Sequence, residues 1–177
     1  MHEIKFSGRG GQGVVVASQL LGFSLFKAGM YPQCYSVFGG ERRGAPVVSF
    51  LRVDKDKILL KSEIKAPNDL ICFDENQFDA DMARALLKPG GRILVNTRRD
   101  ANELGDLEGF SVGSIDALEI SRASGMGDMI NTTVLGAYSR MNDNVGLEYL
   151  LEAISEMVPA KHNENQEAAR RAYEAVV

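Results

Sequence analysis

The stretch IKFSGRGGQGVVVASQLLGFSLFKAG, residues 4–29, decides the predicted fold. Its first three residues alternate apolar and polar side chains, which is typical of a β-strand. Glycines follow at once, and from Gly13 onward apolar side chains occupy most sides of a predicted helix that ends near Gly29. The stretch therefore predicts a strand, a tight glycine turn and a buried helix, in that order.

The turn itself satisfies the pattern G-x-G-x-x-G between a predicted strand and a predicted helix. In this pattern Gly8 permits the tight turn, Gly10 lets the backbone approach a ligand, and Gly13 allows the helix to pack closely on the strand. Free amide groups at the start of the helix favour an anion, and the Arg9 guanidinium group suits phosphate or carboxylate oxygens. The alternative is that the glycines only shape a tight turn. The candidate phosphate-binding residues are Gly8, Arg9, Gly10, Gly11, Gln12 and Gly13.

The region after the predicted helix lacks one feature of a dinucleotide-binding domain. Such a domain should carry an Asp or Glu roughly 20 residues beyond the turn, at the end of the second strand. Residues 33–38 are instead Gln-Cys-Tyr-Ser-Val-Phe, and Glu41 comes later, beside two arginines that can pair with it. The sequence therefore supports a phosphate-binding turn and disfavours an NAD-dependent dehydrogenase.

A second unusual segment, residues 36–46, follows a predicted strand at residues 31–37. It is rich in glycine and carries two adjacent arginines, so that an irregular loop is predicted. One interpretation is a solvated loop with an incidental charge pair. The other is an anion site, or a contact with the carboxylates of a partner, and its candidate residues are Ser36, Arg42 and Arg43.

The rest of the chain alternates predicted strands and helices. Residues 47–53 and 57–61 flank the polar residues 54–56, a spacing suited to an antiparallel hairpin. Further strands are predicted at residues 69–73, 92–96 and 110–112, and helices at residues 79–87 and from Asp116, Thr132, Gly146 and Asn163.

These elements predict an α/β fold. We expect a single Rossmann-like, three-layer domain over residues 1–177, with a mostly parallel sheet, a β-hairpin insertion and a helical C-terminal part.

Composition narrows the possible partners. The chain has 177 residues and a net charge of -4, and its basic residues form no run longer than a pair. Nucleic acid and membrane surfaces are therefore not expected as partners. With neither an apolar stretch of bilayer-spanning length nor a signal-like beginning, a cytoplasmic protein is expected.

Catalytic and metal-binding groups are scarce in the sequence. The only two cysteines, Cys34 and Cys72, lie far apart and cannot ligate an iron–sulfur cluster by themselves. His2 and His162 lie near the two ends, outside any motif, and are expected to be ordinary surface side chains. No nucleophile elbow or metal-binding signature occurs. We expect a ligand-binding loop without a complete active site.

Two motifs carry a family resemblance. Gly-Arg-Gly-Gly-Gln-Gly-Val at residues 8–14, followed by Glu-Arg-Arg-Gly-Ala-Pro at residues 41–46, resembles the gamma subunit of 2-oxoacid:ferredoxin oxidoreductases. Later segments agree with this resemblance, including residues 90–97, Asn131-Thr132 before a helix, and residues 163–173. The resemblance covers nearly the whole chain.

The resemblance implies a complex that oxidatively decarboxylates a 2-oxoacid with thiamine diphosphate and Mg, forms acyl-coenzyme A, and passes electrons through iron–sulfur clusters to ferredoxin. It implies alpha, beta and delta subunits as partners, which hold the thiamine diphosphate and the clusters, so that this chain alone binds no cofactor. Residues 8–13 would face a phosphate of coenzyme A. Ser36 and residues 39–46 would lie at a subunit interface or near the path of coenzyme A.

Three hypotheses remain open from the sequence. They are a non-catalytic oxidoreductase subunit, a free-standing nucleotide-binding protein or NAD(P)-dependent oxidoreductase, and a nucleotide-sensing module. The substrate is open among pyruvate, 2-oxoglutarate, branched-chain and aryl 2-oxoacids, because the residues that select it should lie on other chains.

Overall fold

The first strand and helix form as predicted. A computed structural model describes residues 1–38 (without the Phe38 side chain), 44–142 and 144–176. In it the chain begins with β1 (His2–Arg9), passes through the glycine turn and continues as α1 (Val14–Lys27). The helix ends because Gly29 takes a φ of 83° and the Met30 amide donates to the Leu25 carbonyl at 3.0 Å, which closes the last turn.

A six-stranded sheet forms the centre of the described structure. Its order is β2-β3-β1-β4-β5-β6, and β3 is antiparallel to both of its neighbours while β1, β4, β5 and β6 run parallel. This confirms the predicted mostly parallel sheet. The remaining strands are β2 (Tyr31–Phe38), β3 (Pro46–Asp54), β4 (Asp69–Cys72), β5 (Arg92–Asn96) and β6 (Ser111–Ile115).

The hairpin of this sheet pairs different strands from those predicted. β2 and β3 form it, whereas residues 57–61, predicted as a strand, have no regular structure. The prediction was wrong because both edges of β3 are already paired, one with β1 and one with β2. Residues 57–64 cross the face of the sheet instead, where the Arg52 guanidinium donates to the Ser62 carbonyl at 3.0 Å.

Helices predominate in the last third of the chain, as predicted. Asp116 begins the first of them, and Asp79 begins a helix in the middle of the chain, because each carboxylate accepts a hydrogen bond from a backbone amide three residues later, at 3.0 and 2.8 Å. The α-helices after α1 in the described ranges are α2 (Ala80–Leu86), α3 (Ala117–Ala123), α4 (Asn131–Met141), α5 (Leu147–Met157) and α6 (His162–Ala175).

The two faces of the sheet contribute to separate hydrophobic clusters. Ile71 and Leu94 point towards α1, α4, α5 and α6, whereas Leu70 and Ile93 pack with α2. Successive residues of a strand point to opposite faces, so this division produces the predicted three layers. On the first side, α4 and α6 approach so closely that a Cβ at Gly136 would lie 2.1 Å from the Ala169 carbonyl oxygen.

A buried carboxylate joins the amino ends of the parallel strands to α4. Asp69 is fully buried at the start of β4 and accepts hydrogen bonds from Tyr138 Oη at 2.5 Å and from the Arg92 amide at 3.1 Å. His2 Nε2 lies 2.7 Å from the same carboxylate, and Asn142 Nδ2 lies 3.3 Å from it. The expectation of a surface role for His2 was therefore wrong, because its side chain reaches the buried carboxylate of Asp69, which pairs in register with Ile4 two residues further along β1.

Candidate functional site

The glycine turn lies at the carboxyl end of β1, the edge at which ligands bind in open α/β sheets. The neighbour of β1 on one side is the parallel strand β4. On the other side it is the antiparallel β3, whose carboxyl end lies at the opposite edge of the sheet. In a dinucleotide-binding domain a parallel strand on this side of β1 carries the ribose-binding carboxylate. Here the antiparallel β3 occupies that position. This arrangement agrees with the missing Asp or Glu in the sequence.

Close packing explains two of the turn glycines. A Cβ at Gly8 would lie 2.7 Å from Val14 Cγ2 and 2.8 Å from Phe73 Cβ, so that only glycine lets β1 pass this close to its neighbours. Gly13 has a φ of 77°, and a Cβ there would lie 3.1 Å from the Asn131 Cβ at the start of α4. These two positions hold the turn against β4 and α4.

Gln12 stabilises the turn from within. Its Oε1 accepts a hydrogen bond from the Arg9 amide at 2.7 Å, and its Nε2 donates to the Phe73 carbonyl at 3.5 Å. The Gln12 amide also donates to the Arg9 carbonyl at 3.1 Å. The side chain of Gln12 therefore holds the backbone of the turn in shape, and its side-chain amide is already engaged in doing so.

Arg9 forms an ion pair that the local sequence did not predict. Its Nε donates to the Asp74 carboxylate, which follows β4, and the Arg9 side chain remains 46% exposed. Burial alone would raise the pKa of Asp74, but the hydrogen bonds from Arg9 and Asn76 hold it below its ordinary value. Asp74 is therefore a carboxylate at neutral pH. It fixes the guanidinium group in place and offsets part of its charge.

Free backbone amides complete an anion-binding arrangement. Within the described ranges no acceptor engages the amides of Gly11 and Gly13, and no side chain caps α1. The 14-residue helix directs the positive end of its dipole at this point, and its first turn carries no acidic side chain. Asn131, which is 7% exposed, packs against Gly13 with its side-chain amide. The geometry suits a phosphate or another anion of similar size.

The cleft beside the turn has the opposite electrostatic character. It has a volume of about 300 Å³ and extends over the carboxyl ends of β4 and β5, where Asp74, Glu75 and Asp116 contribute carboxylates. The arginine of this cleft, Arg98, donates to Asp116 at 2.8 Å. Negative charge is thus disfavoured in the cleft and favoured at the start of α1, so that an anion is directed to the glycine turn.

Residues 44–45, near the end of the glycine-rich segment 36–46, lie against the turn. The Gly10 amide donates to the Ala45 carbonyl at 2.9 Å, and the Gly44 amide donates to the Gly10 carbonyl at 3.3 Å. Arg42 and Arg43 fall outside the described residues, so their predicted role stays a prediction. The two hydrogen bonds still bring the segment that follows these arginines to the candidate site.

Ser36 is engaged elsewhere. Its hydroxyl lies 2.9 Å from Ser49 Oγ, which in turn lies 2.6 Å from Ser18 Oγ of α1. This series of hydroxyl groups connects β2, β3 and α1, and it gives Ser36 a structural contact. Its predicted role at the site stays a prediction.

A metal-binding cluster and a membrane-spanning helix are both absent from the described ranges. No group of three His, Cys, Asp or Glu side chains comes together there as a metal site. None of the helices there is long and apolar enough to cross a membrane.

Comparison with known proteins gives matches over nearly the full length. A family model described as pyruvate ferredoxin/flavodoxin oxidoreductase matches residues 3–175. Pyruvate synthase subunit PorC of Methanothermobacter thermautotrophicus is 36% identical over 179 residues, covering 99% of this chain and 96% of the relative. The pyruvate/ketoisovalerate oxidoreductases common subunit gamma of Thermococcus kodakarensis is 37% identical over 181 residues, covering 100% and 98%. The crystal structure of pyruvate oxidoreductase subunit PORC from Thermotoga maritima superposes with a TM-score of 0.85 at 30% identity, covering 99% and 97%.

Proposed function

Because the chain belongs to the pyruvate ferredoxin/flavodoxin oxidoreductase family, we propose that it is the gamma-type subunit of a complex that converts a 2-oxoacid and coenzyme A to acyl-coenzyme A and carbon dioxide. The two electrons released would pass to ferredoxin. The relatives named as PorC and as subunit gamma match this chain over nearly all of its length, which supports a whole-chain role over residues 1–177. We further propose that the complex acts in the cytoplasm.

The chemistry of the reaction belongs to partner subunits in this proposal. Thiamine diphosphate with Mg would supply the carbanion chemistry, and iron–sulfur clusters would carry the electrons, on alpha, beta and delta subunits. The residues of this chain do not fit a cluster, because Cys34 lies in β2 and Cys72 lies in β4, with β3 and β1 between these strands. What this chain supplies is the anion-binding turn.

The observation that carries the proposal is the pair of amides at Gly11 and Gly13, which no acceptor among the described residues engages, together with Arg9 at the start of α1. Coenzyme A carries phosphate groups at one end and its reactive thiol at the other. A phosphate held at the turn would anchor the coenzyme and leave the thiol free to reach a partner's active site. This chain would thereby contribute binding and orientation, which lower the entropic cost of the transfer step.

Arg9→Ala tests this anchor. We expect the Michaelis constant of the assembled complex for coenzyme A to rise about tenfold, since one charge-assisted hydrogen bond is lost. The constant for the 2-oxoacid and the yield of complex should stay unchanged. The measurement is steady-state reduction of a viologen dye under anaerobic conditions with coenzyme A varied.

Two further variants sharpen this test. Asp74→Asn keeps a side-chain oxygen that can accept from Arg9 Nε and removes the negative charge that offsets Arg9, so we expect coenzyme A to bind as tightly or more tightly. Arg171→Ala removes an exposed arginine that pairs with Glu167 within α6 and serves as the control. An unchanged constant for coenzyme A in Arg9→Ala would contradict the role of the turn.

A second candidate function, an independent nucleotide-binding protein, rests on the same turn. Antiparallel β3 beside β1 disfavours it, because a dinucleotide would lack its usual ribose contact. Titration calorimetry of the isolated chain with NADH, NADPH and coenzyme A distinguishes the candidates. Tight binding of a nicotinamide nucleotide would favour the independent protein.

Purification from the native cytoplasm tests the proposal as a whole. We expect the tagged chain to recover a thiamine-binding partner under anaerobic conditions, with dye reduction that requires both a 2-oxoacid and coenzyme A. The preferred 2-oxoacid would then identify the substrate. A chain that purifies alone and inactive would refute the subunit role.

A further inference from the structure

An apolar groove lies on the face of the sheet opposite α1. Its central part is a cavity of about 400 Å³ between β1, β4 and α2, lined by Lys5, Leu70, Phe78, Met82 and Leu86 among others. α2 covers the sheet on one side of the groove, and residues 57–64 cross the face of β3 on the other side. The second face of β1 is left open between them.

The groove continues along the sheet towards β2. Ser7 of β1 pairs in register with Val48 of β3, and Val48 pairs with Val37 of β2, so these three residues share one face. Val37 is 52% exposed, and on the α2 side Met82 is 72% exposed. Glu3, Lys5 and Ser7 of β1 lie on this face, with apolar side chains of β3, β4 and α2 beside them. An open groove of this kind over a central strand indicates a missing cover.

Lys5 gives the groove a specific chemical requirement. It is half-buried in the middle of β1, and within the described ranges no carboxylate lies within ion-pair distance of its ammonium group. Burial lowers the pKa of Lys5, with Cys72 opposing the shift. Burial also raises the pKa of the Cys72 thiol, which is therefore neutral at pH 7 and offers no counter-charge.

Three charged side chains near Lys5 differ from it because they pair with one another. Two residues earlier on the same face, Glu3 accepts hydrogen bonds from Arg52 and from Lys88, both at 2.9 Å. Both cations of that group thus have a carboxylate partner within the chain. Lys5 instead has Phe50 and Leu70 as its cross-strand neighbours, and Asp79, which lines the same cavity, accepts from the Met82 amide. Charged side chains are rarely buried without a partner. An acidic group from outside the chain would supply what Lys5 lacks.

We propose that this groove receives a segment of a partner subunit that presents an Asp or Glu to Lys5 and apolar side chains to Met82, Phe78 and Val48. The inference rests on the proposed function, because it requires a complex. Charge complementarity supports this occupant, since an ammonium group that has no ion-pair partner among the described residues, and lies beside apolar side chains of β3, β4 and α2, matches a carboxylate flanked by apolar side chains. The partner segment would cover the open face of β1.

Competition between tagged chains tests the groove. Wild type and a variant carry different tags in the same native cells, and the amount of partner recovered per chain is measured by quantitative mass spectrometry. Lys5→Met retains the apolar stem and removes the charge, and Met82→Glu places a carboxylate at the rim. For Lys5→Met we expect at least about 30-fold less recovered partner, since removal of one member of a buried charge pair has effects of that order. Met82→Glu should reduce recovery as strongly, because its carboxylate would face the carboxylate and apolar side chains of the partner segment.

Matched controls exclude general effects of the substitutions. Lys55→Met removes an exposed lysine in the turn after β3, and Met157→Glu changes a methionine of α5 that is 42% exposed. Both should recover as much partner as wild type. Folding is checked on the isolated chains, where Lys5→Met should raise the melting temperature because an uncompensated buried charge is removed. A purely structural lysine would instead give a lower melting temperature.

The outcomes separate this inference from the proposed function. If wild type and the two groove variants recover equal amounts of partner, the groove is not the interface, although the subunit role stands. If the tagged wild type recovers an untagged copy of itself and Met82→Glu abolishes this, a second copy covers the groove and the inference is overturned. A wild-type chain that recovers nothing overturns the proposed function and this inference together.

Discussion

Gly136→Ala is expected to destabilise the protein by about 3 kcal/mol or more, because no space exists for a methyl group between α4 and α6. The added Cβ would lie 2.1 Å from the Ala169 carbonyl oxygen and 2.6 Å from its Cα, and both are backbone atoms of α6. Alanine in place of a helical glycine ordinarily stabilises a helix by up to about 1 kcal/mol. A loss of stability would therefore show that packing outweighs helix propensity. Urea denaturation of the isolated chain measures it.

Gly22→Ala in α1 is the matched control for this experiment. A Cβ there would lie 2.9 Å from Cys34 Sγ, but its next neighbours are 3.5 Å away, and the sulfur belongs to a side chain that can rotate. We expect a change within about 1 kcal/mol, because the helix preference for alanine offsets the small adjustment. Equal stability of Gly136→Ala and wild type would contradict the close approach of α4 and α6.

Asp69→Ala is expected to cost about 3 to 5 kcal/mol, the range found when one member of a buried charged group is removed. The carboxylate is fully buried, and its loss leaves Tyr138 Oη without its acceptor. The Arg92 amide and Asn142 Nδ2 each lose one of two acceptors. Asp106→Ala is the control, since Asp106 pairs with Arg84 while its side chain is 73% exposed. Exposed pairs contribute less than about 1 kcal/mol. Similar losses in the two variants would contradict the structural role of Asp69.

The pH dependence of stability gives an independent measure of the same carboxylate. Burial alone would raise the pKa of Asp69, but the hydrogen bonds from His2 and Tyr138 hold it below its ordinary value. A lowered pKa in the folded state means that the contribution of Asp69 is present above the unfolded pKa of about 3.9 and is lost as the pH falls through the folded value. The difference in unfolding free energy between wild type and Asp69→Ala should thus be constant above pH about 5 and shrink below about 4. A difference that does not change with pH would contradict an ionised Asp69.

Local patterns were sufficient where neighbouring residues determine the structure. The glycines at residues 8–13 predicted the turn, because a strand that passes directly into a helix needs positive φ angles and close packing. Asp79 and Asp116 marked the starts of two helices through contacts only three residues long. The phosphate-binding interpretation of the turn came from the same local pattern, and the amides of Gly11 and Gly13, which no described acceptor engages, support it.

Contacts between distant residues account for what the sequence did not predict. The hairpin depended on which strands already occupied the edges of β3, and β1 is 37 or more residues away along the chain. The Arg9 partner, Asp74, lies 65 residues further on. Asn131, which packs against Gly13, had a signal only in the family resemblance. Local patterns carry no information on which distant side chain will compensate a charge.

The hydrogen bonds between Gly10 and residues 44–45 have a thermodynamic consequence. A phosphate bound at the turn and a partner subunit bound to the segment 36–46 would act on the same short stretch of backbone. If one of the two orders this stretch, the other does not have to supply that ordering free energy when it binds. Linkage then requires reciprocity: if assembly increases the affinity for coenzyme A by some factor, coenzyme A strengthens assembly by the same factor. A saturating concentration of the coenzyme would thus lower the dissociation constant of this chain from its complex.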